Sequence, residues 1–474
     1  MFIVLLRAVK AVRGKGHTHF ASVKRGIHAD NGELNNMLAE LTEIQRNIDK
    51  ADRTDRRVQN LASYINVDTL KAVHKRMNGK KAVGVDKVTK DEYSANLEQN
   101  LISLVDRMKR GAYKPQPSRR VYIPKDGKGK MRPLGISSYE DKLVEAVIAE
   151  ILTMVYEPKF YDFSYGFRPN RSCHMAVREV VKDIQLYRTS WVVEADIKGF
   201  FDHVSHEWLI KMLEHDIADK RFLDIIKRFL DAGIMDNGIY YDTIEGTPQG
   251  NGASPVLANI FLHYVLDNWF DVVMRRQSHG ECYIVRYADD FICCFQYPND
   301  AEWFVKALRK RFEKYGLTLA EEKTKILEFG RYAARKRAER GLGKPETFDF
   351  LGFTFYCSMN TQRTFFRCKV KTSRKKLRGK IRAMKEWIKL HNHMPLEWLF
   401  GKINEKLRGH YQYYGVTDNI AECKRFLRQT TWYLFKYLNR RSQKKSYNHD
   451  TFFNGLLRTF PLAEPRTRVS LYYR

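Results

Sequence analysis

The strongest constraint on the fold is a pair of apolar segments that meet at an acidic turn. Residues 283–287 and 291–295 are rich in apolar and aromatic side chains, and Asp289 and Asp290 lie between them. This pattern predicts a β-hairpin with two carboxylates at its turn. A third carboxylate, Asp196, ends the apolar run of residues 191–195. Ionised carboxylates placed side by side repel one another, so the set predicts a bound cation.

The chemistry of these acids favours magnesium. Hard oxygen ligands suit Mg²⁺, which prefers a few carboxylates together with substrate phosphates. Two such ions about 3.5–4 Å apart stabilise both the attacking and the leaving oxygen of a phosphoryl transfer. Because side chains alternate along a strand, Asp289 is the better partner for Asp196, and Asp290 lies slightly out of line. Taken alone, Asp289-Asp290 is equally compatible with an ordinary turn; the residues around Asp196 and before Asp289 favour the metal site.

The remaining pattern predicts an α+β fold. Extended arms at 119–125 and 131–136 form a hairpin, and residues 348–355 form one further β element. Helical spacing of apolar residues predicts helices over 67–77, 91–108, 139–155 and 206–231, and a basic, aromatic-rich helical region from 370 to 440. The mixture of hairpins and helices excludes a doubly wound parallel sheet.

Charge divides the chain into two unequal parts. The net charge is +29, and residues 331–474 hold 33 of the 84 Lys and Arg but only 10 of the 55 Asp and Glu. A balanced body followed by a basic third predicts a polyanion-binding module. The candidate RNA-binding cations of this part are Arg374, Lys375, Lys376, Arg378 and Lys380. The seven scattered cysteines favour reduced thiols in a cytosolic protein, and no apolar run is long enough to span a membrane.

The acidic turn and several segments in a fixed order carry a family resemblance. Tyr287-Ala288-Asp289-Asp290 resembles the signature of reverse transcriptases, and the chain as a whole resembles the bacterial group II intron reverse transcriptase/maturase family. The supporting segments are residues 123–125, 164–169, 196–204, 246–250, 254–259, 286–290, 350–353 and, more weakly, 409–415. One departure is Asn251-Gly252-Ala253 after Gly250, which puts the detailed template contacts of this loop in doubt.

The resemblance implies a right-hand polymerase and assigns roles to individual residues. Asp196, Asp289 and Asp290 would be the catalytic carboxylates of the palm, with the Ile197 carbonyl as a further ligand of one Mg²⁺; Mn²⁺ is a substitute. The implied nucleotide-binding residues are Lys125, Arg132, Phe200, Gln249 and Ala288, where Lys125 and Arg132 clamp the triphosphate and Phe200 rejects the ribose 2′-hydroxyl. Arg168 and Arg171 would contact the RNA template.

The same resemblance implies a domain order and a set of partners. We expect an N-terminal extension over 1–65, fingers and palm over 66–360, a helical basic thumb or maturase domain over 361–440, and a short basic DNA-binding segment over 441–474 without an endonuclease domain. The expected partners are intron RNA, an RNA template–primer duplex, target DNA and deoxynucleoside triphosphates. We expect a ribonucleoprotein in the bacterial cytoplasm with no membrane contact; a homodimer is compatible with the sequence.

The implied activity is RNA-directed DNA synthesis, together with help in splicing the intron and its copying during target-primed retrohoming. Two alternatives stay open. One is a splicing-only maturase whose polymerase site has decayed, against which the complete acidic set and Lys125 and Arg132 argue. The other is a non-mobile reverse transcriptase used in phage defence or spacer acquisition. An RNA-dependent RNA polymerase is the least favoured reading, because Phe200 and Tyr287-Ala288 favour deoxynucleotides.

Overall fold

The computed structural model describes residues 31–54, 56–124, 131–247, 250–441 and 446–472. The fold is α+β and has the right-hand arrangement of fingers, palm and thumb. Its helices are α1 Asn31–Arg53, α2 Val67–Arg76, α3 Lys90–Ser94, α4 Leu97–Lys109, α5 Tyr139–Tyr156, α6 Cys173–Leu186, α7 His206–Asp216, α8 Lys220–Leu230, α9 Ser254–Leu262, α10 Arg275–Gln277, α11 Pro298–Lys314, α12 Ala333–Glu339, α13 Arg374–His391, α14 Leu396–Tyr414, α15 Ile420–Leu438 and α16 Leu457–Thr459.

Within the part of the chain that the structure describes, the strands form three sheets. The strands are β1 Ser118–Pro124, β2 Met131–Ile136, β3 Trp191–Ala195, β4 Ile234–Asp236, β5 Ile239–Tyr241, β6 Cys282–Tyr287, β7 Asp290–Phe295, β8 Lys325–Glu328, β9 Phe348–Phe350, β10 Phe353–Met359 and β11 Phe366–Thr372. The fingers sheet has the order β2-β1-β4-β5, the palm sheet β6-β7-β3-β8, and the sheet below the thumb β11-β10-β9. Within the described ranges, no helix has the length and apolar character needed to cross a membrane.

The palm sheet is buried on both faces, which explains its almost continuous apolar strands. Phe291, Cys293 and Phe295 of β7 pack into the core that the palm shares with the fingers. The alternating residues Ile292 and Cys294 pack into a second core shared with the thumb. One four-stranded sheet therefore joins the two hydrophobic cores of the chain.

Two long helices of the sequence prediction are broken in the structure. The 206–231 segment forms α7 and α8, because Ile217 leaves the helical conformation and Asp219 caps a new helix by accepting a hydrogen bond from Phe222 N. The 91–108 segment likewise forms α3 and α4, with a break at Ala95 and Asn96. Periodicity predicted the apolar faces correctly, but it did not show these short interruptions.

The region below the thumb also departs from the prediction. Residues 348–355 form two antiparallel strands, β9 and β10, because Leu351 and Gly352 adopt positive φ angles of 49° and 79° and reverse the chain. The start of the predicted helical region is the strand β11, and the first thumb helix, α13, begins only after Ser373, which caps it by accepting from Lys376 N.

A C-terminal segment, residues 466–472, fastens the thumb to the palm. Thr417 N donates to the Val469 carbonyl, and the Ser470 carbonyl accepts from the Arg178 guanidinium of palm helix α6 at 2.7 Å. Leu471 is buried, and the Tyr472 ring packs against Arg367 of β11 at 4.1 Å. Contacts to α6, β11 and the thumb thus converge on seven residues.

A fully buried arginine holds the acidic hairpin in place. Arg286 of β6 pairs with Asp267, with Nε 2.7 Å and Nη2 2.5 Å from the two carboxylate oxygens. Its Nη1 also donates to Asn259 Oδ1 and to the Ala288 carbonyl, each at 2.9 Å. Asn259 in turn donates to the Gly166 carbonyl at 2.7 Å. The guanidinium therefore ties the hairpin turn to two other parts of the chain.

Asp267→Asn should lower the free energy of unfolding by roughly 3–5 kcal/mol, because it leaves a buried guanidinium without its counter-charge. Chemical denaturation followed by circular dichroism measures this change. The matched control is Asp271→Asn, which removes the partly exposed pair with Arg275 and should cost at most about 1 kcal/mol. Equal losses in the two variants would contradict a structural role for the Arg286 pair.

Candidate active site

Strand pairing brings the three predicted carboxylates to one end of the palm sheet. Ala195 pairs with Phe291, so Asp196, which follows β3, lies beside the start of β7 at Asp290. The turn between β6 and β7 is tight, and Ala288 adopts a positive φ of 57° there. Gly166 packs on this turn so closely that a Cβ atom would lie 2.2 Å from Ala288 N. Only glycine fits there, and its contact fixes the position of the turn.

The acids lie close enough together for the charge of Asp196 to act on both Asp289 and Asp290. Partial removal from water raises the pKa of Asp289, and repulsion from Asp196 adds to this, while Arg132 opposes it. The pKa of Asp290 rises to about 6, first by desolvation and then by repulsion from Asp289 and Asp196. Both shifts therefore come first from desolvation, and repulsion between the acids adds to it.

Lys323 is a site residue that the sequence reasoning missed. Its ammonium forms an ion pair with the Asp196 carboxylate, and this hydrogen bond raises the pKa of Lys323. The lysine lies on a short 3₁₀ turn, Glu321–Lys323, next to β8. Ala320 N, just before this turn, donates to the Asp196 carbonyl at 2.8 Å. No motif marks Lys323, because its approach to Asp196 depends on the pairing of β3 with β8.

A cavity of about 230 Å³ opens beside these acids. Asp196 and Asp290 line it together with Glu194, Lys323, Lys325 and Asp349. Glu194 points to the same side of β3 as Asp196, and desolvation followed by repulsion from Asp349 and Asp290 raises its pKa to about 7. The cavity wall is therefore acidic, with lysines at its margin.

The donors at this site suit a divalent cation in chemistry and charge. Asp196, Asp289 and Asp290 supply hard carboxylate oxygens, the ligand type that Mg²⁺ prefers. Ile197 lies opposite Leu319 in an antiparallel bridge, and the hydrogen bonds of this bridge run through residues 196, 198, 318 and 320. The Ile197 carbonyl therefore points away from Leu319 and is available as a ligand of a cation. In the described part of the chain, however, no three acidic, histidine or cysteine side chains converge closely enough to enclose a metal ion.

The predicted nucleotide-binding residues have different outcomes. Arg132 is exposed on β2, and its charge lowers the pKa of Asp289, so it lies within electrostatic range of that acid; its contact with a triphosphate stays a prediction. Ala288 forms the turn above the acids. Lys125 and Gln249 lie outside the described residues.

Phe200 does not line the cleft, which corrects the sequence prediction for this residue. Its side chain is only 2% exposed and packs in the core against Phe261 and Phe201, at ring distances of 6.4 and 5.2 Å. Phe200 and Phe201 lie on a single 3₁₀ turn after Gly199, so they point in different directions, and Phe201 is the partly exposed one. The choice between two adjacent aromatics could not be made from spacing alone.

Arg168 is a structural residue, which corrects its predicted contact with the template. Its guanidinium is buried and donates to both carboxylate oxygens of Glu157 at 3.1 Å and to the carbonyls of Tyr161 and Ser164. The fifth N–H, on Nη2, donates to the Phe160 carbonyl at 3.4 Å, so no guanidinium donor remains for RNA. Arg171 pairs with the exposed Asp162 at 2.5 Å and lies over the Tyr165 ring, so it remains near the surface.

The predicted RNA-binding cations of the thumb are exposed at the start of α13. These residues are Arg374, Lys375, Lys376, Arg378 and Lys380. Lys376 is close enough to lower the pKa of Asp290, so this end of α13 borders the acidic site. Of the predicted DNA-binding segment, Phe452 is fully buried and is a core residue, whereas Lys444 and Lys445 lie outside the described residues.

Two protein-family models match the chain. Residues 123–355 match "Reverse transcriptase (RNA-dependent DNA polymerase)", and residues 374–452 match "Group II intron, maturase-specific domain". The first match contains the acidic site and both palm hairpin strands, and the second contains the three thumb helices.

Curated relatives include several intron-encoded proteins. The group II intron-encoded protein LtrA of Lactococcus lactis is 43% identical over 39% of this chain and 30% of its own length. Protein YkfC of Escherichia coli is 38% identical over 47% of this chain and 61% of its own. A putative COX1/OXI3 intron 1 protein of Saccharomyces cerevisiae is 31% identical over 56% and 37%. The chain thus spans less than two thirds of each of these relatives.

Among solved structures, the chain is similar to telomerase from Candida albicans in a complex with a fragment of telomeric RNA. The TM-score is 0.40 at 14% identity, over 78% of this chain and 66% of that one.

Asp290→Asn should stabilise the protein in the absence of divalent metal at pH 8, by up to about 1 kcal/mol. The folded-state pKa of Asp290 is raised, so its ionised form destabilises the fold above about pH 6, and the neutral amide removes that repulsion. The gain should shrink as the pH falls through about 6 and disappear only below about pH 4, where the carboxyl is protonated in the unfolded chain as well. Chemical denaturation in EDTA across this pH range measures the difference.

The control for this experiment is Asp224→Asn on the exposed side of α8, which should change stability little at either pH. A stabilisation by Asp290→Asn that stays constant from pH 5 to pH 8 would show that the carboxyl charge is not its cause.

Proposed function

The chain belongs to the family of group II intron-encoded reverse transcriptases with a maturase domain, and from this premise we propose that it is an RNA-directed DNA polymerase that also binds intron RNA to assist its splicing. The observation that carries the proposal is the meeting of Asp196, Asp289 and Asp290 at one end of the palm sheet, where repulsion from Asp196 contributes to the raised pKa values of both Asp289 and Asp290. That site lies between a cation of the fingers, Arg132, and one of the thumb, Lys376.

In the proposed reaction, the 3′-oxygen of a primer attacks the α-phosphorus of a deoxynucleoside triphosphate, and pyrophosphate leaves. Asp196, Asp289, Asp290 and the Ile197 carbonyl would hold two Mg²⁺ ions, which supply charge stabilisation for the attacking and leaving oxygens when bound. Arg132 would bind the triphosphate, because a guanidinium matches phosphate oxygens in two parallel hydrogen bonds. Lys323 neutralises Asp196 in the structure described here, and its long, exposed side chain allows it to move aside.

The thumb supports the proposed RNA-binding role. Lys376, one of the exposed cations at the start of α13, is close enough to Asp290 to lower its pKa, so this end of the helix borders the path that a template–primer duplex would take. Ion pairs with phosphates are largely independent of sequence, so these residues suit both a duplex and folded intron RNA. Target-primed copying of the intron during retrohoming follows from this activity as part of the proposal.

Asp289→Asn should abolish Mg²⁺-dependent cDNA synthesis and leave the affinity for RNA within about threefold, because it removes stabilisation of the transition state rather than a phosphate contact. Primer extension on an RNA template and filter binding measure the two quantities. Asp196→Asn should behave in the same way. The control Asp224→Asn on α8 should retain full extension. Robust extension by Asp289→Asn would overturn the assignment.

Phe201→Ala should increase ribonucleotide incorporation relative to deoxynucleotide incorporation by at least about tenfold, since it removes steric exclusion of a 2′-hydroxyl without loss of a hydrogen bond. The neighbouring variant Phe200→Ala is the matched control: it should destabilise the fold by roughly 3–5 kcal/mol through a core cavity and leave sugar discrimination unchanged. Single-nucleotide extension with each triphosphate gives the ratio. Relaxed discrimination in Phe200→Ala alone would show that Phe200, and not Phe201, lines the nucleotide site.

A further inference from the structure

A second basic surface lies at the end of the palm sheet opposite the acids. Strand β8 pairs with β3 from Glu194 to Trp191, so it runs away from Asp196. Phe329 N then donates to the Ser190 carbonyl, and the chain leaves the sheet as residues 331–346. Six residues separate Asp196 from Ser190 along an extended strand, a distance of roughly 20 Å. We call the exposed residues Arg331, Tyr332, Arg335, Lys336 and Lys344 the distal palm surface.

The charge of this segment exceeds what local ion pairs neutralise. Residues 331–346 contain six Lys or Arg and two Glu. Two of the cations have structural partners: Arg340 pairs with the buried Glu328, and Arg337 pairs with Glu346. Arg335 remains 71% exposed beside Glu339, and no carboxylate among the described residues pairs with Lys336 or Lys344. The charge is therefore directed to solvent and not to the protein.

The surface is held in place and is not a loose tail. Gly330 adopts a φ of 137°, and a Cβ atom there would lie 2.3 Å from the Thr189 carbonyl, so the segment leaves the sheet through a contact that requires glycine. Ala333 is buried, and Arg331 donates to the Gln185 carbonyl at 3.2 Å. Tyr332 is 47% exposed, with the Arg335 guanidinium 5.6 Å from its ring centre. An exposed aromatic ring among fixed cations is typical of nucleic-acid contact surfaces.

We propose that the distal palm surface binds the phosphate backbone of folded RNA, at a place separate from the cleft that holds the template–primer duplex. The proposal rests on the proposed function, which supplies folded RNA as the partner. A maturase must hold a large structured RNA whether or not a template–primer duplex occupies its cleft. Phosphates a few ångströms apart along an RNA helix suit cations spread over a short helix and loop, whereas the cores of protein–protein interfaces are depleted of charged residues and of lysine in particular.

The test compares two RNAs with one variant. Arg335→Gln/Lys336→Gln/Lys344→Gln should weaken binding of a transcribed group II intron RNA about tenfold and reduce the slope of log affinity against log salt by about 2, because each lost contact removes about 0.7 to 0.9. Binding and extension of a short RNA template–DNA primer duplex should stay within about twofold. The matched control neutralises Lys306, Lys310 and Lys314 on α11 and should change neither RNA.

Other outcomes of the same measurements would contradict the proposal. An unchanged salt slope for the intron RNA would show that the surface is merely solvated and would overturn the proposal. Equal losses for the intron RNA and the short duplex would place these residues along the cleft and would also overturn the proposal. A variant that lost binding to anionic vesicles but kept its binding to RNA would overturn the proposal as well. Failure of the wild-type chain to extend the primer would instead count against the proposed polymerase function, and the salt slopes would still test the distal palm surface.

Discussion

The buried pair between Arg286 and Asp267 is the interaction on which the acidic site depends. An ion pair without access to water costs several kcal/mol in desolvation for each charge and repays this only when its hydrogen bonds are complete. Here the guanidinium also holds Asn259 and the Ala288 carbonyl, and Asn259 holds Gly166. The turn that carries Asp289 is therefore positioned from behind by a network that contacts no substrate. Conformational specificity, more than net stability, explains such a costly pair at this place.

The features of the fold and the site that depend on local sequence pattern could be predicted from the sequence. The features that depend on contacts between distant parts of the chain could not. The acidic hairpin, the fingers hairpin and the basic first thumb helix follow from alternation, turn residues and charge, and the structure contains them. The prediction for Arg168 was wrong because a cation in a loop gives no sign in the sequence that Glu157 and two carbonyls will surround it. Phe200 and Phe201 are adjacent in a 3₁₀ turn, where neither the helical nor the strand period applies. Lys323 was missed because only the pairing of β8 with β3 brings it to Asp196.

The palm sheet organises the rest of the chain because it is shared. Its one face completes the core of the fingers, and its other face completes the core of the thumb. A change in the orientation of the thumb must therefore act on the back of the strands that carry Asp196 and Asp290. The lysines at this boundary, Lys323 and Lys376, modulate the charge of the acids from two different elements. The geometry of the acidic site and the position of the thumb are therefore coupled through packing.

The fastening of the thumb by residues 466–472 has a consequence for biosynthesis. Arg178 in α6 and the Ser470 carbonyl are separated by 292 residues, so this contact forms only after almost the whole described chain has left the ribosome. During translation, domains tend to fold in order from the N-terminus. The fingers and the palm can therefore assemble first, while the three thumb helices wait for their final contact. In a nascent chain halted shortly before residue 466, the palm strands can already be paired, but the thumb is not yet docked through this segment. The late stage of synthesis is therefore vulnerable to misassembly.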